Sequence, residues 1–569
     1  MTAKTLKSRI QACAGLAVLP AFLIGAKLFW LQTFRHENLS EKASREFERT
    51  VSEIGPRGRI FGAGGDLLAE SIVTWEAALF KKDLAAEEKK HPGYTERALA
   101  ALSRTLALPP AFRAKFRKAK NFVPIKKGLD RQAYEAVKAL QLKGVTLEPV
   151  QSRYYPSGDL ARNLIGITRA ERGLTGLELL YDKVLSGHVS KREIIRDASG
   201  RVIFQDRLEK EAHPRDLHLT LDKNIQYFAQ EALRKAVEKN RAELGMALVQ
   251  DPQSGRILAM ATWPRDLEKV EPVEWVYEPG STYKSITLAA ALERGTVDEN
   301  DVFYCENGAW NFSPRVTLHD HEPDKDLTLS QVIERSSNIG TAKIGLKLGI
   351  KDYYLFAKAF GFGSKSGLGF FGESPGILRP IERFKPIDLA VGSYGHGIAA
   401  TALQVVNAYS ALANGGRLYE ARLVEKITEA DGEEIFRNEP AVIRQVISPA
   451  TSERVKKILR AVVEKGTGKP AIVPGYAIAG KTGTSNKIDP HTGKYMKGKN
   501  VASFAGFFPV AEPRYTILVV IDNPKTWVYG GETAAPAFRE IASKIITLKG
   551  LKPDAPLPRG NGARRPDPD

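Results

Sequence analysis

Glu278-Pro279-Gly280-Ser281-Thr282-Tyr283-Lys284-Ser285-Ile286 is the stretch on which the reading of this chain turns. Pro279-Gly280 halts the chain just before Ser281, so the pattern predicts a buried helix over 281–294 with the serine at or near its N-terminus. Backbone N–H groups are unpaired there and the helix dipole is positive. Ser281 and Lys284, three residues apart, share one helical face. A serine hydroxyl is a poor nucleophile until a base removes its proton. Lys284 can be that base only when neutral. Burial beside Ile286, Leu288 and Ala289, with a second cation nearby, would lower its pKa in that direction. Taken alone, S-x-x-K is explained equally by a capping serine followed by a surface lysine.

Two further motifs change that balance. Ser336-Ser337-Asn338 follows a predicted helix over 327–334. In an extended or turning segment residues i and i+2 point the same way. Ser336 is therefore a candidate proton relay, and Asn338 a candidate amide that holds Lys284 or the substrate; the ordinary alternative is a helix-ending turn. Lys481-Thr482-Gly483-Thr484 reads as a strand. Lys481 is the candidate second cation and, with the hydroxyls of Thr482 and Thr484, a candidate clamp for a substrate carboxylate. Gly483 leaves room for a substrate backbone to pair with the strand. The N–H groups of Thr484 and Ser281 are candidate oxyanion donors. The catalytic candidates are thus Ser281, Lys284, Ser336, Asn338 and Lys481, with Thr482, Gly483 and Thr484 binding substrate and oxyanion. This is the kit for acyl transfer through a serine ester, and it calls for no cofactor. The set S-x-x-K, S-D-N, K-T-G serves penicillin-binding proteins and class A β-lactamases; here the middle of the second motif is Ser337.

Around these motifs the chain reads as an α+β multidomain protein. With 569 residues it exceeds one ordinary domain. Net charge is +18, from 84 Lys and Arg against 66 Asp and Glu, which favours anionic partners. Residues 1–9 form a short basic tail. The apolar run 10–34 is long enough to span a bilayer, and no A-x-A cleavage site follows it. By the positive-inside rule the tail stays cytoplasmic and the remainder lies outside, at the plasma membrane, away from nucleic acid. Residues 35–215 read as an elongated mixed α/β pedestal. Within it, 36–53 is a charged helix or stalk, and helical spacing over 96–120 is broken at Pro109-Pro110. Residues 216–548 read as the catalytic domain, an antiparallel sheet flanked by helices. Its strands are expected at 217–221, 246–250, 256–261, 477–484, 501–508 and 515–521, its helices at 224–239 and 535–548. The Pro- and charge-rich tail 549–569 is expected to be disordered. Two cysteines, far apart, give no disulfide framework. Cys305, His319 and His321, with Asp320 or Asp324, are ligand types for zinc, but their spacing matches no compact site, so no metal is assigned.

With these residues in hand the chain resembles the class B penicillin-binding proteins, monofunctional D,D-transpeptidases of peptidoglycan synthesis. The resemblance runs from the anchor to about residue 548. It takes in Arg57-Gly58-Arg59-Ile60, Arg153-Tyr154-Tyr155-Pro156, residues 176–187 and 248–261, Glu278-Pro279-Gly280, residues 395–404 and Pro536-Ala537-Phe538. Gly62-Ala63-Gly64-Gly65 departs from the family's usual D-R-N-G. No glycosyltransferase domain is visible before residue 215. The resemblance implies that Ser281 attacks the penultimate D-Ala of a stem pentapeptide, releases the terminal D-Ala, and passes the acyl group to an amine of a neighbouring stem. It implies Lys284 as base, Ser336 as relay, Asn338 as positioning amide, and 481–484 as carboxylate clamp and oxyanion strand. It also implies β-lactams as ligands, and a partner glycosyltransferase and other divisome membrane proteins as neighbours. Ser393-Tyr394-Gly395-His396-Gly397 and the modest pedestal favour the division (septal) type over the elongation type. The absence of an E-x-x-L-N stretch between Asn338 and Lys481 speaks against a β-lactamase.

Overall fold

The computed structural model describes residues 20, 22–37, 48–54, 56–169, 171–186, 189–196, 202–207, 214–489, 492 and 494–556. Two compact units result: residues 1–55 with 187–213, and residues 56–186 with 214–569.

In the first unit, residues 22–33 are helical and Phe22, Leu23, Ile24, Leu28 and Phe29 are exposed. Residues 10–19 and 21 of the predicted span 10–34 lie outside the described residues. Among the described residues no helix is long and apolar enough to cross a membrane. Of the expected charged helix or stalk over 36–53, the described end is not helical. Glu48–Ile54 is a strand, paired antiparallel with Val189–Arg196, which pairs in turn with Val202–Arg207. Val51 and Ile54 alternate with polar residues only loosely, and it is the partner strand, distant in sequence, that turns this segment to sheet.

The second unit contains the rest of the pedestal and the catalytic domain. Leu67–Phe80 pairs antiparallel with Phe122–Leu129 and with Val145–Tyr154. Helices Tyr94–Thr105 and Ala111–Lys118, separated at the predicted Pro109-Pro110 break, enclose a small core of Leu79, Leu99, Leu102, Phe112 and Val123. Arg57-Gly58-Arg59 ties this region together. The Arg57 guanidinium donates to Glu178 Oε2 at 2.5 Å, Asp182 Oδ1 at 2.6 Å and the Glu171 carbonyl at 3.0 Å, and Arg153 Nε reaches Glu178 Oε1 at 2.7 Å. The Arg57 and Glu178 side chains are fully buried. Arg57→Ala leaves Glu178 with Arg153 alone and strips the buried Glu171 and Glu178 carbonyls of their donor, so it is expected to cost about 3 kcal/mol. Urea unfolding of the variant checks this; an unchanged midpoint would remove the cluster from the stability argument.

The catalytic domain is built on one five-stranded antiparallel sheet. Its order is Ile257–Trp263, Leu244–Gln250, Tyr515–Asp522, Tyr495–Phe508, Ala479–Ile488. The strands read as continuous apolar runs because helices cover both faces. Ala247, Val249, Ile517, Val519 and Ile521 meet helices Lys223–Asn240 and Gly530–Lys549 on one side. Met246, Leu248, Leu518 and Val520 meet Lys284–Glu293, Ala402–Ala413 and Pro449–Glu464 on the other. The strand carrying Lys481-Thr482-Gly483-Thr484 is the sheet edge, so among the described residues one side of its backbone has no neighbouring strand. The expected disordered tail is also corrected at its start. After Gly550 the chain docks on 475–477: Tyr476 Oη donates to the Leu551 carbonyl at 2.7 Å, and the Ala477 N–H to Asp554 Oδ1 at 2.8 Å. Residues 557–569 lie outside the described residues.

Candidate active site

The predicted helix over 281–294 resolves into two pieces. Gly280–Tyr283 is a single 3-10 turn and Lys284 opens the α-helix Lys284–Glu293. In a 3-10 turn residues i and i+3 eclipse, which aligns Ser281 and Lys284 more closely than an α-helix does. The turn is pressed onto the edge strand. A Cβ on Gly280, whose φ is +52°, would fall 2.7 Å from the Thr484 carbonyl. A Cβ on Gly483 would fall 2.9 Å from the Pro279 carbonyl and 2.4 Å from Ser503 Oγ. Gly483 therefore makes room for the nucleophile turn behind the strand, where the sequence reading had a substrate backbone or a bulge. The ladder is regular at this point, Gly483 opposite Ser503.

The second motif is likewise not an extended segment. Helix Leu329–Glu334 ends, and Ser337 caps the next helix, Asn338–Leu348, by accepting from the Gly340 N–H at 2.9 Å. Ser336 sits between the two helices with φ +61°. That left-handed conformation turns its carbonyl and its hydroxyl toward Lys284. Lys284 Nζ lies 2.5 Å from the Ser336 carbonyl, 3.2 Å from Ser336 Oγ and 2.8 Å from Asn338 Oδ1. From the edge strand, Lys481 Nζ donates to the same Ser336 Oγ at 2.9 Å and to the Thr482 carbonyl at 3.2 Å. Three stretches spread over two hundred positions thus converge on one serine hydroxyl held between two amines.

Both lysines are fully buried. Burial lowers Lys284 to about 7, against a smaller upward pull from Asp320 and Cys305. Burial, and then the charge of Lys284, push Lys481 well below the ordinary range. Two ammonium groups sharing one hydroxyl in a buried site repel, which favours loss of a proton from the pair.

Ser281 opens onto a cavity of about 480 Å³. Ser336, Asn338, Thr482 and Thr484 line it with Ser281; Lys284, Lys481 and Gly483 do not. Lys481 lies behind the wall, whereas Thr482 and Thr484 reach the cavity. Thr482 Oγ1 is 2.8 Å from Thr467 Oγ1. Other side chains of the wall had no catalytic role assigned from sequence: His321, Arg335, Tyr394, His396, Thr467, Tyr529 and Glu532. Tyr394 and His396 belong to a stretch quoted above without a role. The His396 ring packs at 5.1 Å from the Tyr394 ring and, by burial and the charge of Lys284, is lowered to about 4, so it faces the cavity as a neutral imidazole. Burial raises Tyr394 to about 12. Glu278 is buried behind this loop, accepting from the Gly397 N–H at 2.7 Å and from Tyr495 Oη at 3.1 Å. Thr467 and Tyr529 come from loops with no sequence signal at all.

The residues weighed for zinc have other partners. Asp320 accepts from Ser337 and Ile339, Asp324 from Arg335, and the His321 ring lies 5.1 Å from the Tyr529 ring. Among the described residues no group of three or more His, Cys, Asp or Glu could hold a metal ion.

Residues 245–543 match the penicillin binding protein transpeptidase domain, and residues 52–219 the penicillin-binding protein dimerisation domain. The chain belongs to the penicillin-binding protein transpeptidase family. Among its relatives is the stage V sporulation protein D of Bacillus subtilis, 31% identical over 96% of this chain and 87% of that one. The peptidoglycan D,D-transpeptidase FtsI of Escherichia coli is 30% identical over 95% of this chain and 92% of its own length. A crystal structure of penicillin binding protein 3 from Mycobacterium tuberculosis, complexed with aztreonam, superposes with a TM-score of 0.67 at 28% identity, covering 89% of this chain and 99% of that one. The two matches give a two-domain protein with one dimerisation and one transpeptidase domain.

Proposed function

We propose that this chain is a septal-type class B penicillin-binding protein that crosslinks peptidoglycan stem peptides through a Ser281 acyl-enzyme. The observation that carries the reading is the single serine hydroxyl, Ser336 Oγ, shared by two buried lysines beside Ser281 on the cavity wall. Neutral Lys284 takes the Ser281 proton as Ser281 Oγ attacks the penultimate D-Ala carbonyl. Ser336 relays that proton to the departing amine of the terminal D-Ala. The stem peptide lies along the open side of the edge strand, its carboxylate on the hydroxyls of Thr482 and Thr484. The amine of a second stem then attacks the ester by the same route in reverse. A β-lactam enters as a strained mimic of D-Ala-D-Ala; the relative from M. tuberculosis is complexed with aztreonam in one structure and ampicillin in another.

The apolar run 10–34 supports a single-pass anchor in the plasma membrane, N-terminus cytoplasmic, with the catalytic domain outside. The pedestal and the anchor are the surfaces available to a partner glycosyltransferase and to divisome membrane proteins. Two measurements test the reading. The purified protein should take up one fluorescent penicillin and lose it slowly; rapid loss would make it a β-lactamase. Depletion in the source cell should give filaments, whereas rounded cells would place it in elongation.

A further inference from the structure

The loop 319–325 is used by none of the three motifs, yet it grips both sides of Ser336. Ahead of that residue, Asp324 Oδ2 accepts from Arg335 Nε at 2.7 Å. Behind it, the Asp320 carboxylate accepts from Ser337 Oγ at 2.5 Å, from the Ile339 N–H at 2.9 Å and from the Asn338 N–H. The His319 carbonyl accepts from Asn338 Nδ2 at 2.9 Å, which fixes the amide with its oxygen toward Lys284. Ser337 already caps the helix, so its first turn does not depend on Asp320 alone. Ser337 stands where the S-D-N pattern carries a carboxylate, and Asp320 brings one to the same place from a separate loop. Ser336, between the two grips, is held at φ +61°, which side-chain-bearing residues avoid unless their surroundings enforce it.

We propose that Asp320 is a positioning residue of the acyl-transfer reaction: by clamping Ser337 and the Asn338–Ile339 backbone it holds Ser336 in the left-handed turn that gives Lys284 its three acceptors. The inference rests on the acyl-transfer reading of Ser281. Asp320 acts on Lys284 through its charge as well. The groups facing Lys284 are Asp320 and Cys305 from one side, Lys481 from the edge strand, and Tyr394 and His396 from the loop between them. Asp320 is the carboxylate in that set, and it favours the ammonium form. Without its charge, burial acts with less opposition and Lys284 loses its proton at lower pH.

The test is the rate of acylation by a fluorescent penicillin, in wild type, Asp320→Asn and Asp320→Ala, from about pH 5 to about pH 9, with melting temperatures of the same preparations. Asp320→Ala is expected to slow acylation about 100-fold at the alkaline end. Asp320→Asn, which keeps the shape and an acceptor, should recover most of that rate, with its acid limb shifted about half a unit or more to lower pH. An Asp320→Ala protein that acylates at the wild-type rate overturns the inference. So does an Asp320→Asn protein as slow as Asp320→Ala with an unmoved limb. Should Asp320→Ala fail to fold, the limb of Asp320→Asn decides alone. Wild type that takes no label overturns the acyl-transfer reading itself, and the inference with it.

Discussion

Ser281→Ala is expected to take no fluorescent penicillin and to release D-Ala from a donor stem peptide about 10⁴-fold or more below wild type. The reason is chemical. In the proposed reaction the first step forms a bond to Ser281 Oγ, and among the described residues no other hydroxyl on the cavity wall precedes Lys284 by one 3-10 turn. The side chain is only partly buried, so deleting one oxygen should change stability by no more than about 0.5 kcal/mol. An unchanged melting temperature with lost labelling therefore separates chemistry from folding. Labelling at even a tenth of the wild-type rate would move the nucleophile elsewhere.

Lys284→Met should have the second largest effect, a loss of about 10³-fold in acylation, near the upper part of what a positioned base contributes. Methionine matches the length and burial of the lysine, and no charge is left unpaired. Wild type gives the companion result. The reactive form of Lys284 is the neutral amine, and burial sets its pKa at about 7. Below that value the neutral fraction falls, so the acylation rate should drop about tenfold per pH unit on the acid side and level off above about 7.5. The sign is opposite to that of a catalytic acid. A flat profile from pH 5 to 8, to within about a factor of two, would mean that Lys284 is not the proton acceptor. Persistence of the acid limb in Lys284→Met would assign it to another group.

Much of the fold was legible because the catalytic domain's strands and helices are strongly patterned. The apolar runs at 246–250, 501–508 and 515–521, and the amphipathic run at 224–239, fell within two residues of observed elements, save that the strand Tyr495–Phe508 starts earlier. The misses share one cause, which is contact at long range. Glu48–Ile54 became a strand because Val189–Arg196 pairs with it, and a charged local sequence gives no hint of that. Residues 551–555 are ordered by 475–477 despite a composition that reads as tail. Gly483 reads locally as space for a substrate or as a bulge; only the Pro279 carbonyl and Ser503 behind it reveal what the space is for.

The sequence by itself determined the candidate nucleophile, its candidate base and the strand beside them, since S-x-x-K fixes a separation within one helical turn and K-T-G-T carries its own alternation. Tertiary structure alone decided that Ser336 Oγ lies between Lys284 and Lys481, that Lys481 stands behind the cavity wall, and that Asp320 clamps the turn between. Those relations depend on dihedrals such as the φ of +61° at Ser336 and on burial, and both are set by segments that meet only when the chain is folded.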